Sequence, residues 1–586
     1  MTIEDRAKYM RQGAVCALGK SALLAVCAAT LSAAFGDSVP DPRTRTIVDP
    51  VRVLAANVDG ADVLCAPRFG QVPEGRFIAG SGVPLGKGDW LILDFGREIH
   101  GSIQIANGAK GGKTKKFSSQ KDVKVRVRFG ESVSETLSGL KGKEKGATAT
   151  NDHAIRDDVI SLPWLGRREI GETGFRFVRI DNIGDSPLQI EYVRAVSLMR
   201  PLKRIGSFKC SDGRLNRIWE TAARTVHLCC QDYIWDGIKR DRLVWMGDTH
   251  PETKAILAVF GAQDIIPATL DYAAATTPPE KAWMNNMPTY TLWWIRNLAE
   301  WHRFTGDKAY LAKHAQYLEE TVGHVLDNVG DDGVWKSGTF LDWPTKADKA
   351  ASAAGTQGLL KLALDDAAFL LDELPDTDGA LAKAKERLSA ARSRIVPLAP
   401  HGVKSASALL SLSGLCDAKE VFAEALGKDA NAGISTFFGY YVLEAMAKAG
   451  EHQRALDTIR DYWGGMLDMG ATSFWEDFDL AWTNNAFRID VMPVAGKKDI
   501  HGDYGAYCYK GFRHSLCHGW SAGPAPFILE HILGIRPDGT VEPHLGDLEW
   551  AEGSMPIPGG RMVSVRATRR PDGTCSVEKN IVRLPD

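Results

Sequence analysis

Hydrophobic positions change their period twice along this chain. Between about residues 50 and 205 they fall in short runs, at 90–95, 102–105, 123–129, 175–180 and 188–193. Apolar and polar residues alternate within 123–129 and 175–180, which predicts strands with one buried and one wet face. Many short strands separated by Gly-rich turns predict a β-sandwich. From about 206 to 535 the period becomes helical. Leu215, Ile218, Trp219, Ala222 and Val226 share one face after a Ser211-Asp212 start. Leu311, Ala315, Leu318, Val322 and Val325 form a second stripe. Phe438, Tyr441, Val442, Ala445 and Met446 form a third, ended by Gly450. About a dozen such segments make this region all-helical. After Pro537-Asp538-Gly539 strand patterns return, at 562–567 and 576–578, joined by the turn-like Pro571-Asp572-Gly573. The expected order is therefore a sandwich at 50–205, a helical domain at 206–535 and a small β cap at 536–586.

The amino end reads differently. Lys8, Arg11 and Lys20 precede an apolar run from 21 to 35 with Ser32-Ala33-Ala34 at its end. This is the pattern of a secretory signal peptide, residues 1–34, cleaved near Ala34. The run falls short of the roughly 20 apolar residues a membrane span needs, so a mature chain without a span, exported to the periplasm or medium, is expected. Residues from about 36 to 49 read as a polar, Pro-rich tether. Two Lys/Gly/Ser/Thr-rich insertions, at 110–121 and 140–152, read as solvated loops.

With 586 residues the chain exceeds a single core. Its net charge of −2 lacks the basic excess of a nucleic-acid binder and leaves a small-molecule or glycan substrate open. Cysteines are dispersed, with no CxxC pair and no zinc-like His spacing, so no metal site is expected. The adjacent Cys229 and Cys230, the Trp293-Trp294 pair, His514 and Cys517 read as structural.

The densest chemistry lies at 235–248. Asp236, Asp241 and Asp248 stand there with Lys239, Arg240 and Arg242, and with Trp235 and Trp245. Carboxylates move protons to and from oxygen, tryptophan faces pack on apolar sugar faces, and cations hold hydroxyls or carboxylates. Downstream come Ser473-Phe474-Trp475-Glu476-Asp477-Phe478 and His518-Gly519-Trp520-Ser521-Ala522-Gly523-Pro524. Each alone has a plain structural reading: ion pairs at a helix start, a core tryptophan, an interior histidine.

Taken in this order, the three segments resemble the α-L-rhamnosidases of glycoside hydrolase family 78. Asp94-Phe95-Gly96-Arg97-Glu98 and Phe129-Gly130-Glu131-Ser132 are similar to the sandwich domain preceding that family's catalytic domain. The resemblance implies that the helical region is an (α/α)6 six-hairpin barrel and that the chain, without a cofactor, releases terminal α-L-rhamnose with inversion. It implies Glu476 as general base and Asp241 as general acid, at a position where the family normally has Glu; Glu252 is the reserve acid. Asp236 and Asp248 would accept from sugar hydroxyls, Arg240 would orient hydroxyls or carboxylates, Trp245 would stack on the deoxysugar, and His518 would contact a hydroxyl. Trp475 beside the base, the loop pair Asp342-Trp343 and, less directly, Trp283 complete the sugar-contacting set. An inverting pair stands roughly 6.5–9.5 Å apart to admit water. Two alternatives remain. One is a related (α/α)6 hydrolase acting on another sugar or on a uronate-linked glycan, with Lys239 as the anion contact. The other is a glycan-binding protein that has lost catalysis.

Overall fold

The structure, a computed structural model, describes residues 40–65, 82–108, 122–138, 156–279, 283–375, 380–399, 402–429 and 431–585. The signal-peptide reading of 1–34 and the two insertions at 110–121 and 140–152 lie outside these residues.

The expected runs at 90–95 and 102–105 are two halves of one strand, Trp90–Asn107. Its first half pairs with Arg52–Ala56, its second with Leu188–Met199, and Arg167–Asn182 runs beside both. The register slips between these halves, where Gly96 and Gly101 take positive φ. At Gly101 (φ +151°) a Cβ would lie 2.0 Å from the Val196 carbonyl oxygen, so only glycine lets the strand change neighbours there. Val123–Gly130 shows the predicted alternation through Val127, with Val123, Val125, Val127 and Phe129 buried, but Arg128 is buried as well, donating to Asp181 at 3.0 Å. Arg167–Asn182 departs from it: Arg176 is buried too, donating to both carboxylate oxygens of Asp94 at 2.9 and 3.0 Å. Thr44–Val48, inside the expected tether, is a strand on the edge of this sheet, pairing with 195–199. Its Thr-Ile-Val content suits a pleated surface better than a linker.

The helical region is an (α/α)6 barrel. Its inner helices are Met246–Phe260, Pro288–Thr305, Lys349–Glu373, Lys404–Leu412, Gly439–Lys448 and the short run opened by Pro524–Phe527, and each packs on the next. The last returns to the first and closes the ring. Gly213–Cys229 precedes the first of them as an outer helix, and between them in sequence come others, among them Ile265–Thr276, Ala315–Asp327 and Ala380–Arg394. Met246–Phe260 is buried nearly all round, including Thr249, His250 and Glu252. With neighbours on every side it shows no apolar stripe, whereas the inner helix Gly439–Lys448 carries the stripe expected at 438–446.

The carboxyl-terminal sheet holds Trp550–Ile557, Arg561–Arg569 and Cys575–Arg583. Ser207–Cys210 adds a fourth strand beside Trp550–Ile557, so the segment entering the barrel and the segment leaving it meet in one sheet. The eight cysteines among the described residues are free thiols. No helix among those residues is long and apolar enough to cross a membrane.

Candidate active site

The connection from Gly213–Cys229 to Met246–Phe260 is the 230–245 loop, held by one of its own acids, Asp236. The Asp236 carboxylate accepts from the Leu243 amide at 2.9 Å, and its carbonyl accepts from the Gly519 amide at 2.7 Å. Gly237 forms a β-bridge with His518. Between these ties Asp241 and Arg242 both take left-handed backbone, φ +55° and +52°. Such residues cost on the order of 1–3 kcal/mol each and collect at functional sites. Asp enters this region more readily than longer side chains, a physical reason for Asp at 241 where glutamate is usual.

The second loop, 472–478, is threaded between barrel elements. The Phe474 amide donates to Thr225 Oγ1 at 2.9 Å, the His518 amide to the Phe474 carbonyl at 2.9 Å, and the Glu476 amide to the Ser515 carbonyl at 2.9 Å. Glu476 thereby faces the 235–245 loop. Its Oε2 accepts from the Ser515 amide at 3.0 Å, and its Oε1 forms a close ion pair with Arg240. The other end of the same guanidinium lies 3.8 Å from Asp241 Oδ1. One cation thus spans both carboxyl groups.

These groups line a cavity of about 390 Å³. Asp236, Arg240, Asp241, Trp245, Asp248, Trp343, Glu476 and His518 all contribute to its wall. Aromatic rings make up much of the rest. Trp343 stacks on Tyr507 with centroids 6.0 Å apart, Trp245 meets Tyr290 edge-on at 6.2 Å, and Arg240 lies over Tyr509 at 5.6 Å. The pocket thus combines flat apolar faces with a few convergent polar groups, the composition of a small-molecule site.

Burial dominates its electrostatics. It raises Glu476 to about 7, against the opposing pull of Arg240. It also pushes Asp236 well above the usual carboxylate range, helped by Asp241 and Asp248. Asp248 is raised in the same way, with Glu476 adding to the effect. His518 is held well below its ordinary value by burial and by Arg240, so its imidazole is neutral. Its Nε2 lies 3.2 Å from Asp248 Oδ1, while Tyr290 donates to Asp248 Oδ2 at 3.3 Å.

Five expectations are corrected. Trp475 is wholly buried, edge-on to Phe478 at 5.6 Å and to His514 at 6.2 Å; it is core beside Glu476, not a sugar platform. Asp342 is spent on its own loop, accepting from the Thr345 amide and the Ser435 hydroxyl, each at 2.9 Å, and only its neighbour Trp343 reaches the cavity. Trp283 packs against His324 and Trp335 outside the cavity wall. Lys239 points away from the cavity: its ammonium lies 2.9 Å from Glu131 and 3.2 Å from Glu135 of the amino-terminal sheet region and donates to the Phe512 and His514 carbonyls. It cannot contact a uronate in the pocket. The reserve acid Glu252 is fully buried one helical turn beyond Asp248 and does not line the cavity.

Other wall residues escaped the sequence reading: Asn285, Tyr290, Phe340, Tyr507, Cys508, Tyr509 and Trp520. Tyr507-Cys508-Tyr509 sits in a long loop without periodicity, where two flanking aromatics were the available signal. Two clusters, Glu131–Glu135–His501 and Glu444–Glu530–His531, bring potential metal ligands together. Each already holds a lysine: Lys239 in the first, Lys254 3.1 Å from Glu530 in the second.

Comparison with known proteins gives a consistent picture. Residues 203–364 match the family model of the bacterial α-L-rhamnosidase six-hairpin glycosidase domain. An α-L-rhamnosidase of Formosa agariphila is 20% identical over 283 residues, which are 45% of this chain and 29% of that protein. The solved family 78 rhamnosidase of Bacillus sp. GL1 superposes with a TM-score of 0.64 at 22% identity, covering 89% of this chain and 54% of that one. A Klebsiella oxytoca rhamnosidase with rhamnose bound gives 0.65 at 21% identity, covering 83% and 96%. This chain therefore spans less than a third of the Formosa protein and about half of the Bacillus one. At these identities the structural likeness carries the fold.

Proposed function

We propose, on the premise that this chain belongs to the six-hairpin α-L-rhamnosidases of glycoside hydrolase family 78, that it hydrolyses terminal α-L-rhamnosides with inversion. The observation that carries this reading is the pair of carboxyl groups, Asp241 and Glu476, on the two ends of one guanidinium in an aromatic-walled cavity.

Asp241 donates its proton to the glycosidic oxygen as the bond to the anomeric carbon breaks. Glu476 takes a proton from a water that attacks that carbon from the opposite face, giving the β-anomer. Asp241 ends ionised and Glu476 protonated, and exchange with solvent resets both. Each transfer contributes roughly 10²–10⁴-fold. Arg240 keeps Glu476 available as an anion despite burial. Trp245 and Trp343 offer ring faces to the deoxysugar, while Asp236, Asp248 and neutral His518 hold its hydroxyls. A nitrophenyl α-L-rhamnoside, followed by NMR at early times, tests the reading: β-rhamnose as first product supports it. First-formed α-rhamnose would reject inversion, and no release of rhamnose would reject the activity.

We also propose export through the leader at 1–34. Amino-terminal sequencing of the protein recovered outside the cytoplasm should begin near Phe35, and an intact leader there would overturn this.

A further inference from the structure

A second concavity, sharing no wall residue with the catalytic cavity, is lined by Arg97, Arg176, Arg204, Arg217, Arg224 and Arg488, with Glu220 and Asp490 as its acids. Its volume is about 650 Å³, within the range of ligand-sized clefts. Three of the arginines are matched: Arg176 with Asp94, Arg488 with Asp490, Arg204 with Glu220. Among the described residues, no carboxylate forms an ion pair with Arg97, Arg217 or Arg224. Arg97 and Arg217 are exposed. Arg224 is held from behind, one terminal nitrogen donating to the Glu98 carbonyl while its Nε has no hydrogen-bond partner. Burial, and then Arg97, lower Arg224 to about 10. Glu98 offsets little of this charge, because burial pushes its carboxyl well above the usual range.

Crowding like charges with fewer counter-ions than cations is unfavourable, and beyond the three pairs Asp468 acts at longer range on Arg217; a guanidinium is the side chain best suited to bidentate capture of carboxylate or sulfate. Here several converge on one concave surface, beside the apolar Leu467 and Ala471. A duplex nucleic acid would call for an extended basic stripe and a basic chain overall, whereas the net charge is −2. We propose that this groove binds an anionic stretch of a glycan, bearing uronate carboxylates or sulfate esters, outside the catalytic cavity. The choice of a glycan rests on the proposed hydrolase activity, while the demand for anions rests on the arginines alone.

The test is native affinity electrophoresis of the full chain in about 0.15 M salt, with polygalacturonate, chondroitin sulfate, neutral dextran or duplex DNA in the gel. The expected result is retardation by one or both acidic glycans but not by dextran, with the effective arm telling carboxylate from sulfate. Arg97→Glu/Arg217→Glu, at two exposed positions without ion-pair partners, should weaken it by about tenfold or more and leave hydrolysis of a small rhamnoside unchanged. No retardation by either acidic glycan, equal retardation of the double variant, or equally strong retention by DNA would each overturn the proposal. Retardation in a protein that releases no rhamnose would sink the proposed activity and leave the anionic groove standing.

Discussion

Lys239 is the most consequential side chain outside the cavity, and its replacement by methionine gives a quantitative forecast. Its side chain is 2% exposed, and its ammonium carries two ion pairs and two carbonyl contacts. Burial alone would lower its pKa, but Glu131 and Glu135 hold it above the ordinary value. Methionine keeps most of the volume and removes the charge. It leaves two buried carboxyl groups facing each other near Glu98, which breaking-a-buried-pair measurements put at about 3–5 kcal/mol. The compact unit runs from Arg43 to Asp586. At about 2.1 cal/mol/K per residue, its unfolding entropy is near 1.1 kcal/mol/K, so Tm should fall by about 2.5–4.5 °C. The loss depends on pH in a definite direction. Burial already raises Glu135 to about 7, and without Lys239 both carboxyls rise further above their unfolded values. Wild type and variant lose this contribution alike up to the wild-type folded value, so the variant loses stability relative to wild type as pH climbs through about 7 and beyond. Differential scanning calorimetry at pH 5 and pH 8 should show the larger deficit at pH 8. Adding Glu131→Gln and Glu135→Gln should recover part of it. A deficit under about 1 °C at pH 8, or one equal at both pH values, would refute the reasoning.

Further outcomes follow from the same geometry. Because burial raises Glu476 to about 7 and the proposed base acts as an anion, kcat/KM should fall about tenfold per pH unit below that value, and a profile flat down to pH 5 would reject Glu476 as the base. In stability the sign is opposite: a carboxyl raised above its unfolded value favours the fold at low pH and loses that contribution as pH rises through about 7, so the wild-type Tm should drop more between pH 5 and 8 than that of Glu476→Gln. Trp475→Ala should cost about 3–5 kcal/mol through the cavity it leaves, seen as a lower Tm with KM nearly unchanged. Trp343→Ala should do the reverse, raising KM about three- to tenfold at nearly constant Tm; a shared phenotype would contradict the separation of core from platform.

Periodicity was legible wherever an element has one wet face. The strand at Val123–Gly130 and the outer helix at Gly213–Cys229 appear in the residue pattern directly. Met246–Phe260 is different, since its polar Thr249, His250 and Glu252 are buried in the barrel wall. In the site, Asp236, Arg240, Asp241, Trp245, Asp248, Glu476 and His518 were marked by their order along the chain and do share one cavity. Pairs of adjacent residues were not separable. Whether Asp342 or Trp343, Trp475 or Glu476, turns toward the pocket depends on loop hydrogen bonds to distant partners such as Ser435 and Ser515. Lys239 was misread for the same reason, because its counter-ions Glu131 and Glu135 lie in another part of the chain.

The division of labour between Asp241 and Glu476 is tested most directly by varying the leaving group. An alkyl rhamnoside needs protonation of its departing oxygen, whereas a dinitrophenyl rhamnoside does not. Asp241→Asn should lose about 10²–10⁴-fold in kcat/KM on the first and far less on the second, while Glu476→Gln should lose on both. Equal losses on the two substrates in Asp241→Asn, or an active Glu476→Gln, would contradict the account.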